Sequence, residues 1–273
     1  MKNNLAVIMS VYKNDKLNYL KEALNSLYNQ TYKNFDIFIQ CDGKVSSEIE
    51  DFLDKEFKER KIYYLGKRDD NKGLACSLNE LLVIVNELEY EYIARMDADD
   101  ICFSNRIESQ YSFMDKNKDI DISGTYIEEF GDDINYSKIV KYPLEHSDMY
   151  SFFKKRVPLA HVSVFFKKTF FEKVGMYPDT NHISNEDTLM WMKGFKNNCN
   201  FANIEMVGVK VRVNNAFFTR RSGYDKIYSD FKDRLKVIRN LNYGISSYFY
   251  AFAILVINIL PPSLKKIAYK YLR

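Results

Sequence analysis

Between residues 5 and 96 short apolar runs alternate with helix-period segments, and few architectures accommodate that rhythm. Leu5–Ser10 has the length and continuous apolarity of a buried strand. Leu17–Tyr28 then sets Leu17, Leu20, Ala23, Leu24 and Leu27 on one helical face. Phe35–Gln40 reads as a second strand, stopped by the turn former Asp42-Gly43. Glu48–Phe57 reads as helix, Ile62–Leu65 as strand, Leu74–Leu88 as helix and Glu91–Met96 as a fourth strand. This order predicts an α/β fold with a mostly parallel sheet and helices on both faces. Such sheets bind ligands beyond the carboxyl ends of their strands. Ser10, Asp42 and Asp97–Asp100 all fall there.

The second half is less regular. Ile120–Tyr126 and Val162–Phe166 read as strands, and Thr188–Phe195 as a short helix with Trp191 on its apolar side. Beyond about residue 215 the pattern turns helical and basic, so the expected organisation is a domain over 1–215 and a helical extension over 216–273. Hydrophobic content of 46% with 28% charge is that of a globular chain. A net charge of +3 is too small and too dispersed for a nucleic-acid binder. Cys41, Cys76, Cys102 and Cys199 fit neither a zinc pattern nor a disulfide framework, so reduced thiols in the cytoplasm are expected.

Met1–Asn4 leads straight into the first strand, without the apolar stretch of a signal peptide. Near the other end, Ile245–Leu260 is mostly apolar, but its sixteen residues are short for a span, which takes ~20. Lys265, Lys266, Lys270 and Arg273 follow it. Two contacts suit such a segment. One is burial against a second copy in a homo-oligomer, the favoured resting state. The other is peripheral docking on the anionic inner face of the cell membrane.

The chemistry concentrates at Arg95-Met96-Asp97-Ala98-Asp99-Asp100, where three carboxylates within four residues repel one another. Mg²⁺ or Mn²⁺ carrying a phosphate would relieve that repulsion, because hard oxygen ligands suit these ions. A solvated acidic turn or a helix cap is the alternative.

An ordered set of motifs carries a resemblance. Val7-Ile8-Met9-Ser10-Val11-Tyr12, Asn29-Gln30-Thr31-Tyr32, Asp42-Gly43, Asn71-Lys72-Gly73, Ser77-Leu78-Asn79, Arg95 to Asp100 and Asn185-Glu186-Asp187 follow one another as in family 2 glycosyltransferases. The resemblance spans roughly residues 5–200 and implies a GT-A fold and inverting transfer of a hexose from a UDP-sugar. The chain departs from the common pattern at Cys41, where the family often has an aspartate.

Roles follow from the same resemblance. Asp99 is the metal ligand, joined by Asp97, which serves the metal or the ribose. Asp100 serves the sugar or caps the next helix. Ser10 and Tyr12 meet the nucleotide, with partial core packing as the alternative for Tyr12. Asp42 accepts from the uracil N–H or simply forms the turn. Lys72 and Arg95 offer cations near the phosphates, or Arg95 pairs with one of the aspartates. Asp187 is the general base and Glu186 positions the acceptor or its loop; the alternative is two acids favoured by a helix N-terminus. The residues at 180–185 form a lid, and Arg220 and Arg221 reach the diphosphate or make a solvated or lipid-facing surface. His161, ahead of an apolar strand, reads as structural, although the resemblance places it near the site.

The implied cofactor is Mn²⁺ or Mg²⁺, and the implied acceptor is a lipid-linked or protein-linked glycan. A nucleotidyltransferase or a dinucleotide-dependent dehydrogenase would carry a glycine-rich loop after the first strand, where this chain has Ser10-Val11-Tyr12-Lys13. A catalytically degenerate binding module would have lost the metal or base carboxylate, and both are present.

Overall fold

The first strand shows how the sheet is built. In the computed structural model, which describes residues 3–131, 136–178, 185–213 and 223–259, β1 (Leu5–Tyr12) alternates its side chains between two cores. Leu5, Val7, Met9 and Val11 enter one, and Ala6 and Ile8 the other. The first core is closed by α1 (Leu17–Tyr28), α2 (Ser47–Lys58) and α4 (Arg106–Lys116) through Leu20, Leu24, Leu53, Ile107 and Met114. The second is closed by α3 (Leu74–Glu87), α5 (His146–Phe153), α6 (Lys168–Val174) and α7 (Glu186–Lys196). Trp191, Phe195 and Phe201 are its aromatic centre.

Parallel pairing runs through β3 (Tyr64–Lys67), β2 (Phe35–Asp42), β1 and β4 (Tyr92–Arg95). Beyond β4 the sheet is mixed. β8 (Phe165–Lys167) is antiparallel to β4, and β6 (Ile122–Gly131) is antiparallel to β8. β9 (Phe201–Arg212) runs parallel to β6, and the two-residue β5 (Ile101–Cys102) pairs antiparallel with β9. β7 (Tyr136–Val140) returns along β6. The parallel half therefore supplies the strand ends, and β9 reaches back from the mixed half to the residues just after Asp100.

Two strand expectations shift. Ile62 is buried, but it sits in the turn leaving α2, where Lys61 N–H bonds the Glu56 carbonyl, so β3 begins at Tyr64. Residues 161–163 form a short 3₁₀ turn ahead of β8, because the Ser163 hydroxyl accepts from the Thr125 backbone N–H at 3.1 Å.

The extension begins with α8 (Tyr224–Asn240), whose Val237 belongs to the second core, so this helix is part of the body. α9 (Ser246–Ile259) lies on α8 with Phe252 against Phe231, ring centres 5.2 Å apart. Phe249, Phe252, Val256 and Ile259 are exposed along its outer face. No helix among the described residues is long and apolar enough to cross a membrane. Residues 180–184 of the expected lid, Arg220, Arg221 and the basic end from Lys265 lie outside the described residues.

Candidate active site

The acidic loop leaves the sheet where β4 ends against β1, with Arg95 opposite Ile8 and the Met96 N–H on the Ile8 carbonyl at 3.1 Å. That register delivers Asp97 to the edge occupied by the half-buried Ser10 and Tyr12. A fixed floor lies beneath. Buried Arg106 donates to the Arg95 carbonyl at 2.9 Å. Gln30 donates to the Phe103 carbonyl at 2.9 Å and accepts from the Ile107 N–H at 3.1 Å.

Arg212 at the end of β9 clamps the loop from the far side. Its backbone N–H donates to the Asp100 carboxylate at 2.8 Å and its Nε to the Asp99 carbonyl at 3.0 Å. Its guanidinium is held over the Tyr19 and Phe130 rings and pairs with Glu22 at 2.5 Å.

Three carboxylates thus occupy fixed places in different environments. Asp97 and Asp99 are half-buried, and Asp100 is buried. Burial, followed by the fields of Asp99 and Asp97, pushes the Asp100 carboxyl well above the usual carboxylate range. A cation placed beside Asp97 and Asp99 would lower the cost of ionising Asp100. No group of three or more His, Cys, Asp or Glu side chains is gathered to hold a metal among the described residues. Asp97 and Asp99 offer the one or two hard carboxylates that Mg²⁺ or Mn²⁺ takes when substrate phosphates complete its coordination. Arg95 is buried and paired with Asp97. Its Nε is buried with no hydrogen-bond partner among the described residues.

Asp42, at the end of β2, organises a loop. Its Oδ1 accepts from Arg68, from the Lys72 N–H at 2.8 Å and from the Gly73 N–H at 3.1 Å. Its Oδ2 accepts one bond, from Asn71 at 3.0 Å. Gly43 makes this possible: with φ of +81°, a Cβ there would lie 2.8 Å from the Asn71 nitrogen. Arg68 also reaches Ser77 at 2.8 Å and Glu80 at 2.5 Å. The Lys72 side chain is exposed at the mouth of the loop. Arg68 was not among the expected site residues, because no local pattern marks an arginine that a distant aspartate recruits.

Glu186 and Asp187 open α7. Asp187 Oδ1 accepts from the Thr188 N–H at 2.6 Å, and burial raises its carboxyl above the usual range. Glu186 lies 3.8 Å from His161 Nδ1, and burial followed by the field of Asp187 carries its carboxyl up to about 7. His161 Nε2 meets the Tyr177 hydroxyl at 3.0 Å, and burial lowers the imidazole well below its ordinary value. Asn79 holds Tyr177 through both its backbone N–H and its carbonyl, each at 2.9 Å. His161 is therefore packed between Tyr177, which Asn79 anchors, and Glu186, which places it beside the α7 carboxylates.

The start of α7 is stapled to α8. Asn185 receives Lys226 at 2.6 Å and donates to Asp230 at 2.8 Å, and its N–H reaches buried Asp233 at 3.2 Å. These partners lie more than 40 residues downstream, where the sequence shows only a basic helix. Arg95 ties the two acidic groups together: its field acts on Asp100, Glu186, Asp187, His161 and Tyr177.

Glu186 carries a stability consequence. Its folded carboxyl titrates above its unfolded one, so the folded state binds the extra proton between pH ~4.5 and ~7, and stability falls as pH rises through that window. Glu186→Gln is expected to be more stable than the parent at pH 8, by an order of 1–3 kcal/mol, and indistinguishable at pH 4.5. Chemical denaturation at the two pH values measures it; an equal difference at both would contradict the shift.

Comparison with known proteins agrees with this architecture. The structure superposes on S. aureus TarS 1–349 in complex with UDP-GlcNAc with a TM-score of 0.67 at 15% identity, covering 92% of this chain and 70% of that one. It spans 43% of a longer TarS chain. It also matches the mannosyltransferase PcManGT of Pyrobaculum calidifontis, in complex with GDP-Man and Mn²⁺, with a TM-score of 0.63 at 13% identity, covering 99% of this chain and 79% of that one. These likenesses give the GT-A fold.

In sequence, the chain is 33% identical over 270 residues to the Escherichia coli UDP-Gal:alpha-D-GlcNAc-diphosphoundecaprenol beta-1,3-galactosyltransferase, covering 97% of this chain and 94% of that protein. It is 28% identical to the amylovoran biosynthesis glycosyltransferase AmsE of Erwinia amylovora over 82% of each. The family description Glycosyl transferase family 2 matches residues 6–175, which hold the acidic loop and the Asp42 turn, and the chain is therefore a family 2 glycosyltransferase.

Proposed function

We propose that the enzyme transfers a hexose with inversion from a UDP-sugar to a hydroxyl of a growing glycan, assisted by Mn²⁺ or Mg²⁺. The observation that carries this reading is the arrangement around Arg95: it pairs with Asp97 of a three-carboxylate loop that Arg212 holds in place, and its field reaches the Glu186–Asp187 pair at the start of α7. Diphosphate handling and proton removal are thus separate but adjacent tasks.

In this mechanism Ser10, Tyr12 and the 68–73 loop receive the nucleotide. Asp42 Oδ2, which accepts a single bond among the described residues, has a lone pair for the uracil N–H. Asp97 and Asp99 would hold the metal, with buried Asp100 fixing the loop beneath them through the Arg212 N–H. Bound there, the ion would neutralise charge developing on the leaving diphosphate. Exposed Lys72 adds a cation from the opposite side. Asp187 takes the proton of the acceptor hydroxyl as that oxygen attacks the anomeric carbon from the face opposite the diphosphate. Its raised pKa strengthens it as a base. Glu186, steered by His161, positions the acceptor.

The exposed outer face of α9 supplies a contact surface. A second copy or the inner face of the cytoplasmic membrane would cover it. Exposed Lys155, 4.8 Å over the Tyr250 ring, and Lys232, 4.3 Å over Tyr228, border this region and suit anionic headgroups.

A donor screen tests the proposal. UDP release is expected with UDP-galactose or UDP-glucose, or with their N-acetyl forms, only when Mn²⁺ or Mg²⁺ is present. Chelation is expected to reduce the rate at least ~100-fold. Full turnover in EDTA, or release from GDP-mannose alone, would overturn it.

A further inference from the structure

Behind the α7 carboxylates lies a tyrosine that is buried and held from several sides. The Tyr177 ring leans on those of His161 and Phe171, with centres 5.4 Å and 6.4 Å away. Its backbone is gripped by a single side chain: Asn79 accepts from the Tyr177 N–H and donates to the Tyr177 carbonyl, each at 2.9 Å. Asn79 lies on α3 just beyond Ser77, the hydroxyl that Arg68 reaches, so the helix that opens at the Asp42 loop also fixes Tyr177. His161 is fixed as firmly. Its 3₁₀ turn leads into Val164, whose carbonyl accepts from the Arg95 N–H at 3.0 Å. On its other side the imidazole meets α7 at Trp191, edge-on with ring centres 5.7 Å apart, and at Glu186, 3.8 Å from Nδ1.

Hydrogen-bond accounting decides where the imidazole proton sits. The Tyr177 hydroxyl and His161 Nε2 are 3.0 Å apart, and this contact is the hydroxyl's sole hydrogen bond among the described residues. If Nε2 carried the proton and donated, the phenolic hydrogen would be buried with nothing to accept it, a state native structures avoid. If the hydroxyl donates, Nε2 accepts, the phenol is satisfied, and a neutral imidazole keeps its proton on Nδ1. Neutrality follows from burial and from the Arg95 field, both of which disfavour the imidazolium. Nδ1 is the nitrogen that faces Glu186. At 3.8 Å the two are too far apart for a hydrogen bond, but the N–H dipole still favours negative charge on that carboxyl. The other charged groups that bear on the pair are Arg95 of β4, Asp187 of α7 and Lys226 of α8.

We propose that Tyr177 is a positioning residue for the transfer reaction: its hydroxyl holds His161 as the neutral Nδ1–H tautomer, and that N–H is aimed at Glu186, steadying the carboxyl that orients the acceptor. The assignment rests on the role given to Glu186 above and adds what holds it there. Because Asn79 sets Tyr177 from α3, one helix serves the nucleotide edge at its start and the acceptor side further along.

Long-range nitrogen-15 spectra of the histidine rings test this in the ligand-free full chain, because the two neutral tautomers and the imidazolium give distinct nitrogen shifts. The chain has three histidines, so His146→Gln and His182→Gln identify the His161 signals by elimination. His146 is the internal contrast: its Nδ1 accepts from the Phe201 N–H at 3.2 Å, which leaves its proton on Nε2. His161 is expected to show the Nδ1–H pattern at pH 8 and to keep it at pH 6. Tyr177→Phe keeps the ring and deletes the hydroxyl. At pH 6, where Glu186 is protonated and can donate to Nδ1, the variant is expected to move to Nε2–H. Its Glu186 carboxyl, followed by carbon-13 shifts, is expected to titrate higher by about half a unit or more. An Nε2–H or imidazolium pattern for His161 in the parent would overturn the proposal, whether or not the variant folds. So would a variant in which either the tautomer or the Glu186 titration is unmoved, which would reduce Tyr177 to packing. The spectra need neither donor nor acceptor, so they stand apart from the outcome of the donor screen.

Discussion

Asp187→Asn is expected to slow sugar transfer by about 10²–10⁴-fold, the range for removing a general base, while UDP affinity stays within about 2-fold of the parent. The substitution is nearly isosteric. The amide oxygen can still accept the Thr188 N–H that Asp187 Oδ1 accepts at 2.6 Å, so the start of α7 keeps its geometry. What disappears is an oxygen able to take a proton. Single-turnover transfer and calorimetry with UDP give the two readouts. A parallel loss of UDP affinity would remove Asp187 from the role of base. Glu186→Gln, measured alongside, separates the pair: as a positioning residue, Glu186 affects acceptor KM more than the maximal rate. Swapped effects would exchange the two roles.

The second large effect is at Asp99. Asp99→Ala is expected to abolish metal stimulation of UDP release, a loss of at least ~100-fold. The loop around it should survive. Arg212 holds the Asp99 carbonyl at 3.0 Å and the Asp100 carboxylate through its own N–H at 2.8 Å, neither through the deleted group. Calorimetry of UDP with and without Mn²⁺ is the direct check. The parent should bind more tightly with the ion, and the variant should show no difference. A variant that keeps the full Mn²⁺ enhancement would transfer the ligand role to Asp97. Removing the Asp99 charge also removes one of the fields that raise Asp100, so the Asp100 carboxyl should titrate lower in the variant.

The first half of the molecule was legible because its physics is local. The continuous apolar run of β1, the helical stripe of α1 and the Asp42-Gly43 turn each follow from a few adjacent side chains, and the parallel order places the strand ends on one edge. The acidic loop was legible for the same reason: three like charges in four residues need an explanation wherever they fall.

What was not legible depends on long-range partners. Arg212 pins Asp99 and Asp100 from more than 110 residues away, and β9 carries no local sign of that task. Arg68 looks like a surface arginine until Asp42 and Ser77 are brought to it. Arg95 was open between phosphate and aspartate, and only packing shows the Asp97 pair. The mixed pairing of β8, β6, β9 and β5 escaped notice because short, bulged or two-residue strands leave too few alternating positions to read.

The staple at Asn185 sets where this enzyme can be cut. The family signature stops at residue 175 and the sequence pattern breaks near 215, yet the helix start that aims Asp187 is anchored by Lys226, Asp230 and Asp233. A chain ending near 215 would keep Asp187 and the Arg212 clamp but lose the partners of Asn185, and one ending at 175 would lose α7 and β9 as well. A graft that exchanges acceptor preference between relatives must therefore carry Asn185 and its three partners together, as one inherited unit.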